Sequence, residues 1–174
     1  MRLFIAIELD EQMRRALLRT QSQLRAQRVG GTYTKPENLH LTLAFIGEYG
    51  DPDRALEVLQ ALPFSPFPIA LDGFGCFGDL YWCGLEGKAA LDAVVRRLRR
   101  ALAEAEIPFD RKRFSPHITL LRRARFRTLP TAEVPRAEME VRRISLMRSD
   151  RGNDGMIYTE LGCVEADEKN NRLP

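Results

Sequence analysis

The sequence predicts an α+β fold in which two small antiparallel sheets carry helices on their outer faces and present polar faces across a groove. Segments with strand periodicity and segments with helix periodicity alternate along the 174 residues. The pattern His-aliphatic-Thr-Leu occurs twice, at His40 to Leu43 and at His117 to Leu120. An amphipathic helix is predicted before each copy, so the two halves of the chain repeat one arrangement.

The chain is predicted to begin with a strand and a helix. The apolar run 3–7 is too short for a signal-peptide core or a membrane span, and acidic residues follow it, which favours a strand. Asp10 can cap a helix that extends to about Gln27, since apolar side chains recur on one stripe. Gly30-Gly31 would end this helix.

The first motif lies in the next predicted strand, at 39–47, where apolar and polar residues alternate. Asp51 followed by proline predicts a helix that ends near Leu62. Two strands then follow, at 69–74 and 80–85, and glycines cluster in the turn region that joins them.

The clearest helix is predicted from about residue 88 to 106, because its apolar residues follow the 3.6-residue period closely. Four arginines lie largely off the apolar stripe and are interpreted as a solvated surface rather than as ligand residues; they are Arg96, Arg97, Arg99 and Arg100. Arg100 is expected to pair with Glu104 one turn further on.

The second motif is predicted in a strand at 117–123, after a basic connector. Two further strands are predicted at 139–147 and 156–164, separated by a polar turn at 149–155. The residues from about 165 to 174 are expected to form a loose C-terminal tail.

Length and composition predict one domain spanning residues 1–174, since the size suits a single core and no composition break divides the chain. With no targeting segment in view, the expected location is the cytoplasm. The three cysteines lack a C-x-x-C pair and are predicted to be small buried hydrophobes; they are Cys76, Cys83 and Cys163. No metal and no cofactor is predicted, because the spacing offers no further zinc ligand and the glycines form no phosphate loop.

The doubled motif carries the functional prediction. Side chains on a strand alternate with period 2, so His40 and Thr42 share one face while the flanking leucines face the core. His117 and Thr119 repeat this arrangement. A lone motif of this kind is most often a partly buried histidine, but its repetition around both histidines of the chain favours function. Two imidazoles and two hydroxyls around one small anion would suit phosphodiester chemistry.

Arginine is the main basic residue, and it is concentrated in the second half of the chain. The formal net charge is only +3, but nine arginines fall between residues 122 and 151. The planar guanidinium group suits phosphate, so RNA or a nucleotide is a plausible partner. The alternative is an ordinary solvated charged surface.

Four segments resemble a known family. They are M-R-L-F-I-A-I at the start, P-E-N-L-H-L-T-L-A-F-I-G, F-S-P-H-I-T-L-L-R, and R-S-D-R-G-N-D-G-M-I-Y-T-E-L near the end. In this order they resemble the RNA 2′,3′-cyclic phosphodiesterases, or 2′-5′ RNA ligases, of the two-histidine phosphoesterase superfamily. The resemblance covers most of the chain and implies a bilobal, pseudo-twofold fold with both motifs facing a central cleft.

The resemblance implies a reaction and roles for the motif residues. An RNA-terminal 2′,3′-cyclic phosphate would be opened to a 2′-phosphate without a metal, with His117 as proton acceptor and His40 as proton donor. Thr42 and Thr119 would donate hydrogen bonds to the phosphate oxygens. The resemblance also implies that the reaction could be reversible as 2′-5′ RNA ligation, with a nucleic-acid hydroxyl in place of water.

Three further residues are candidates for substrate binding. Arg122 matches an arginine that follows the second motif in the family, but its strand parity is opposite to that of His117. Either the strand ends or bulges at Leu121, or Arg123, which has the matching parity, contacts the phosphate. Tyr33 precedes the proline where the family often has tryptophan, and it could stack on a base or be a surface aromatic.

Two alternatives keep the same cleft. The chain could be a phosphodiesterase of small cyclic nucleotides, or a non-catalytic module that binds nucleotides or RNA. The presence of histidine in both motifs argues against the second alternative. The expected assembly is a monomer.

Overall fold

The computed structural model describes residues 1–168, and this range contains three α-helices and nine β-strands. In chain order the elements are β1 (Arg2–Glu8), α1 (Glu11–Ala26), β2 (Gly30–Tyr33), β3 (His40–Glu48), α2 (Pro52–Gln60), β4 (Phe67–Phe77), β5 (Leu80–Glu86), α3 (Lys88–Glu104), β6 (His117–Arg125), β7 (Glu138–Val141), β8 (Arg143–Gly152) and β9 (Gly155–Glu165). A short 3₁₀ turn, Pro36–Asn38, leads into β3.

Two antiparallel sheets form the framework. The first sheet has the strand order β3-β1-β8-β9, and the second sheet has the order β2-β6-β5-β4-β7. The first motif lies on β3 at the edge of the first sheet, and the second motif lies on β6 between β2 and β5. The predicted α+β class with two antiparallel sheets is confirmed.

The helices pack on the sheets and begin where the sequence predicts. Helix α1 packs on β6 and β7 of the second sheet, α2 packs on β8 and β9 of the first, and α3 contacts β3 and β4, one strand from each sheet. Asp10 caps α1, since its carboxylate accepts the backbone N–H of Met13 at 2.9 Å. Asp51 caps α2 in the same way through the N–H of Arg54 at 3.0 Å.

The main core joins both sheets and fixes the orientation of the motif strands. Four aliphatic side chains that flank the motif histidines and threonines are fully buried; they are Leu41, Leu43, Ile118 and Leu120. Burial of one such side chain stabilises the fold by about 1.5–3 kcal/mol. The opposite faces of β3 and β6 are therefore left to the polar motif residues.

The single strand predicted at 139–147 is wrong, because it is two strands. β7 pairs with β4 in the second sheet, whereas β8 pairs with β1 and β9 in the first sheet. Arg142 lies between them, where the chain crosses from one sheet to the other. Strand periodicity continues across such a crossing, so the sequence pattern does not reveal the change of partner.

Gly30-Gly31 does not end α1, which ends at Ala26; the two glycines begin β2. Gly31 has a φ of +137°, and a Cβ there would lie 2.7 Å from the carbonyl oxygen of Arg122. The glycine is thus required by the close approach of β2 to β6 and by its backbone conformation.

Two minor predictions need correction. Cys83 is buried as predicted, but Cys163 is half-buried and Cys76 is exposed. In the predicted tail, β9 continues to Glu165, and the backbone N–H groups of Ala166 and Asp167 donate to the carbonyls of Arg142 and Phe64. Residues 169–174 lie outside the described residues.

Among the helices of residues 1–168, none is long and apolar enough to cross a membrane.

Candidate active site

The first histidine is oriented by the backbone just before it. Nδ1 of His40 lies 2.6 Å from the carbonyl oxygen of Asn38, two residues upstream. A carbonyl can only accept, so Nδ1 carries the proton and Nε2 is the nitrogen left for chemistry. Nε2 lies 2.8 Å from the hydroxyl oxygen of Thr42, the other polar residue of the motif.

The second histidine repeats this arrangement. Nδ1 of His117 lies 2.7 Å from the carbonyl oxygen of Ser115, again two residues upstream. Its Nε2 is therefore also the nitrogen without the ring proton in the neutral form. The two motifs present equivalent imidazole atoms toward the space between the sheets.

The surroundings of His40 favour its neutral form. Burial lowers the pKa of His40 below its usual value of 6.5, and this is the largest effect. The carbonyl of Asn38 acts in the opposite direction, while the positive charges of Arg122 and of protonated His117 lower the pKa further. These surroundings disfavour the charged form of the ring.

Aromatic side chains surround both imidazoles. The rings of Phe4 and Tyr158 lie 5.0 and 5.2 Å from that of His40, centroid to centroid. Phe4 also belongs to a small apolar cluster that is separate from the main core. On the other side, the ring of Phe77 meets that of His117 edge-on at 5.2 Å.

The largest cavity at the site has a volume of about 700 Å³, which is enough for a nucleotide. Its lining includes His40, Thr42, Arg122 and the aromatic side chains of Phe4 and Tyr158. The wall also contains four charged side chains from the strand ends nearby, which are Arg2, Glu48, Asp150 and Arg151. We call this space the donor cavity.

A second cavity of about 340 Å³ lies on the His117 side. It shares Thr42 and Phe45 with the donor cavity, so the two spaces meet at β3. Each of these two adjoining cavities has one imidazole in its lining, and we refer to the pair as the cleft.

A bulge in β6 explains why Arg122, with the opposite parity, still lines the donor cavity. Trp82 of β5 pairs with Thr119 and Tyr81 pairs with Leu121, so Leu120 is one extra residue in β6. The bulge reverses the alternation and turns Arg122 to the face of His117. Arg123 is exposed, has a φ of +53° and is not among the residues that line the donor cavity.

Thr119 lies on the His117 face of β6, opposite Trp82. It is half-buried and is not among the lining residues of the two cavities, whereas Thr42 belongs to both. The structure therefore brings His40, Thr42 and Arg122 together in one cavity and places His117 with Thr42 in the other.

Tyr33 lies apart from the cleft lining. Its hydroxyl donates to the carbonyl of Val29 at 2.8 Å, and the guanidinium of Arg25 lies 4.1 Å from its ring centroid. Burial raises the pKa of Tyr33, which the charge of Arg25 partly offsets. These contacts favour the alternative of a partly buried aromatic over a base-stacking residue.

Arg99 of α3 was predicted to lie on a solvated surface, and this is wrong. It is half-buried, lines the cavity of His117 and donates to the carbonyls of Leu43 at 3.4 Å and Lys112 at 2.7 Å. Its guanidinium also lies 5.4 Å from the ring centroid of Phe114. Desolvation accordingly lowers the pKa of Arg99. Arg100 pairs with Glu104 as predicted, at 2.9 Å.

The family model of the 2′-5′ RNA ligase superfamily matches residues 11–153, which include both motifs and Arg122. The chain belongs to this superfamily.

Two relatives in this superfamily match the chain over most of their own length. The RNA 2′,3′-cyclic phosphodiesterase of Archaeoglobus fulgidus is 31% identical over 179 residues, which cover 95% of this chain and 100% of the relative. The RNA 2′,3′-cyclic phosphodiesterase of Thermus thermophilus is 34% identical and covers 92% of this chain and 88% of its own. The resemblance noted from the sequence is confirmed.

Solved structures agree with this assignment. The crystal structure of E. coli LigT complexed with 3′-AMP has a TM-score of 0.79 at 28% identity and covers 96% of this chain and 98% of its own. A phosphoesterase crystal structure has a TM-score of 0.83 at 28% identity, with 96% and 98% coverage.

The superfamily motifs do not reveal the aromatic part of the site. Phe4 is within an apolar run, and its opposite parity to Leu3 and Ile5 is the one signal that could have placed it on the cleft face. Tyr158 and Phe77 come from strands whose partners the sequence does not specify. Their proximity to the imidazoles depends on strand order and register.

Proposed function

We propose that this protein hydrolyses the 2′,3′-cyclic phosphate at an RNA end to a 2′-phosphomonoester. The observation that carries the proposal is the pair of imidazoles, each with Nδ1 held by a carbonyl two residues upstream and each lining one of two adjoining cavities. Relatives that bear the name RNA 2′,3′-cyclic phosphodiesterase support the substrate class.

In the proposed reaction, Nε2 of His117 accepts a proton from water as the water oxygen attacks phosphorus. The bond between phosphorus and the 3′-oxygen breaks, and Nε2 of His40 donates a proton to that oxygen. The products are a 2′-phosphate and a 3′-hydroxyl. Imidazole suits both tasks because its usual pKa of about 6.5 populates both forms near neutrality.

His40 must be protonated to act as the acid, although burial favours its neutral form. As water attacks, negative charge increases on the phosphate oxygens. This charge stabilises the protonated ring of His40, since a nearby anion raises an imidazole pKa. Once Nε2 is protonated it donates rather than accepts. The Thr42 hydroxyl is then released from Nε2 and can donate to a phosphate oxygen.

Arg122 and the two motif threonines would hold the negative charge of the phosphate. Arg122 lines the donor cavity and is close enough to His40 to influence its pKa. A guanidinium and two hydroxyls supply donors without a metal ion. We therefore propose metal-independent turnover. In this proposal the Thr119 hydroxyl donates a hydrogen bond to a phosphate oxygen from the His117 face of β6.

The same geometry supports a reversible reaction. If the hydroxyl of a second nucleic acid takes the place of water, His117 accepts its proton and the product is a 2′-5′ phosphodiester. Ligation therefore uses the same base and acid as hydrolysis, and its reverse, cleavage of the 2′-5′ bond back to the cyclic phosphate, exchanges the two roles.

The decisive experiment incubates an RNA that ends in a 2′,3′-cyclic phosphate with the protein in the presence of chelator. The expected product is the 2′-phosphate, and His40→Ala and His117→Ala are expected to remove most turnover. A 3′-phosphate product, or full loss of activity with chelator, would overturn the mechanism. A mononucleoside 2′,3′-cyclic phosphate assayed in parallel tests the alternative of a small cyclic-nucleotide phosphodiesterase. Tight binding without turnover would point to a binding module.

A further inference from the structure

The cavity on the His117 side is far larger than hydrolysis needs. Its volume is about 340 Å³, whereas one water molecule occupies about 30 Å³ in the liquid. Its wall is made of aromatic and cationic side chains, with Phe45, Phe77 and Phe114 beside Arg99, Lys112 and Arg113. Such a lining is typical of a site for a base and a phosphate.

We propose that this space, the acceptor cavity, binds the 5′-terminal nucleoside of a second RNA strand whose 5′-hydroxyl replaces water. The inference rests on the proposed function, in which His117 is the base. It goes further by naming the residues that choose between water and RNA as the nucleophile.

The position follows from the geometry of attack. The 2′- and 3′-oxygens of a cyclic phosphate belong to one nucleoside, and that nucleoside must lie on the side of His40, which protonates the departing 3′-oxygen. A nucleophile enters opposite the leaving oxygen. The space beside His117 is therefore the side from which an attacking group, with whatever is attached to it, must come.

Phe77 provides a surface for the base of the acceptor. It is 48% exposed although it is a large apolar side chain. It lies at the end of β4, where its ring contacts those of His117 and Trp82, each at 5.2 Å between centroids. One side of the ring is thus supported and the remaining surface is open to the cleft. Stacking on such a ring does not depend on which base is present.

Lys112 and Arg113 provide charge for the next phosphate of the acceptor strand. Both side chains are exposed at the cavity wall. Arg99 fixes this segment by donating to the carbonyl of Lys112 at 2.7 Å, and the N–H of Asp110 fixes it to the carbonyl of Phe45 at 2.8 Å. The Asp110 carboxylate also lines the cavity, but three cationic side chains outnumber it.

The chemical step is balanced without any further reactant. The 5′-oxygen of the acceptor forms a bond to phosphorus, and the bond from phosphorus to the 3′-oxygen breaks. His117 takes the proton of the 5′-hydroxyl, and His40 gives a proton to the 3′-oxygen. The product is a 2′-5′ phosphodiester with a free 3′-hydroxyl.

The test is the ratio of ligation to hydrolysis, measured in one reaction that contains an RNA with a 2′,3′-cyclic phosphate and a short RNA with a 5′-hydroxyl. Phe77→Ala is expected to lower this ratio by about tenfold, since stacking of one base contributes about 1–3 kcal/mol. Phe77→Tyr keeps the ring and is expected to retain the ratio. A ratio measured in one tube is insensitive to the fraction of folded enzyme.

The phosphate contact is tested separately. The double variant Lys112→Ser, Arg113→Ser is expected to lower the ratio for a dinucleotide acceptor but not for a single nucleoside, which has no phosphate. Leu129→Ala is the control, because Leu129 is 71% exposed and is not among the residues that line the acceptor cavity.

The outcomes separate the two proposals. If the wild-type protein hydrolyses the cyclic phosphate but forms no ligated product at any acceptor concentration, the acceptor cavity and the ligation reaction are refuted, and the proposed hydrolysis stands. If Phe77→Ala lowers hydrolysis and ligation equally, the cavity serves the first nucleoside or only supports His117, and the inference is again refuted. If the wild-type protein does not hydrolyse the substrate at all, the proposed function fails first.

Discussion

The hydroxyl oxygen of Thr42 lies 2.8 Å from Nε2 of His40, and Thr42 is also a wall residue of both cavities. In the free protein this hydroxyl donates to the neutral ring. When phosphate binds and the ring becomes protonated, the hydroxyl can donate to the phosphate instead. Thr42 therefore changes partner during the proposed reaction.

Replacement of Thr42 tests this change of partner. Thr42→Val keeps the shape but removes the hydroxyl, and it is expected to lower kcat by about 100- to 1000-fold, the usual effect of losing one donor to a developing charge. Thr42→Ser is expected to retain most of the activity. Thr159→Val, at an exposed position of β9, is the matched control. Equal activity of Thr42→Val and the control would exclude the role.

The protonation of His40 can be measured directly, because the chain contains only two histidines. An NMR titration of the imidazole protons, with His117→Ala for assignment, is expected to give a pKa below 6.5 for His40, since burial and Arg122 lower it. Inorganic phosphate is expected to raise that value. A His40 pKa above 6.5 in the phosphate-free protein would contradict the effect of burial.

The lowered pKa of His40 predicts that the stability of the folded protein depends on pH. A histidine whose pKa is lowered by folding binds a proton less readily in the folded than in the unfolded state. Its contribution is therefore fully present above pH 6.5 and is lost as the pH falls below it. His40→Gln is expected to lose less thermal stability than the wild type between pH 7 and pH 5. An identical loss in both proteins would exclude His40 as the source.

A leaving group that needs no protonation distinguishes the acid from the base. A 4-nitrophenyl phosphodiester of a nucleoside releases a phenolate of low basicity, so the general acid contributes little. We expect His40→Ala to recover most of its activity on this substrate, whereas His117→Ala stays inactive on both substrates. The reverse pattern would exchange the two roles.

Arg122 and Arg123 form a natural pair for comparison. Arg122→Ala removes a charge that lines the donor cavity and is expected to raise KM and lower kcat, because a guanidinium contact to phosphate is lost. Arg123→Ala removes a neighbouring exposed guanidinium that is not in this lining. Steady-state kinetics on the cyclic phosphate are expected to separate the two. A larger effect at Arg123 would refute the placement by the bulge.

Local patterns made much of this fold predictable. The caps Asp10 and Asp51 and the apolar stripes of the helices depend on neighbouring residues only, and the structure has them where they were predicted. The crossing at Arg142 depends instead on which sheet each strand joins. Nothing in a period-2 pattern encodes that choice.

The candidate site was likewise predictable only where it depends on neighbouring residues. His40 and Thr42 share a face because of strand geometry alone, so the sequence was sufficient to pair them. The parity of Arg122 was a visible conflict, but the extra residue Leu120 that resolves it depends on the pairing with β5. Phe77 and Tyr158 reach the imidazoles through tertiary packing. Arg99 lines the cavity of His117 from a helix face that otherwise has the pattern of a solvated surface.

Each imidazole is anchored by main chain only two residues away, at Asn38 for one ring and at Ser115 for the other. A carbonyl oxygen persists whichever side chain its residue carries, so mutation at these two positions cannot delete the anchor. Each motif therefore fixes the tautomer of its histidine through the backbone just before it. A gene can accumulate substitutions through most of its length, as the roughly one-third identity to relatives illustrates, while the proton-transfer atoms keep their orientation. Accumulating substitutions are therefore expected to change the residues that line the cleft, and so the substrate preference, before they change the reaction.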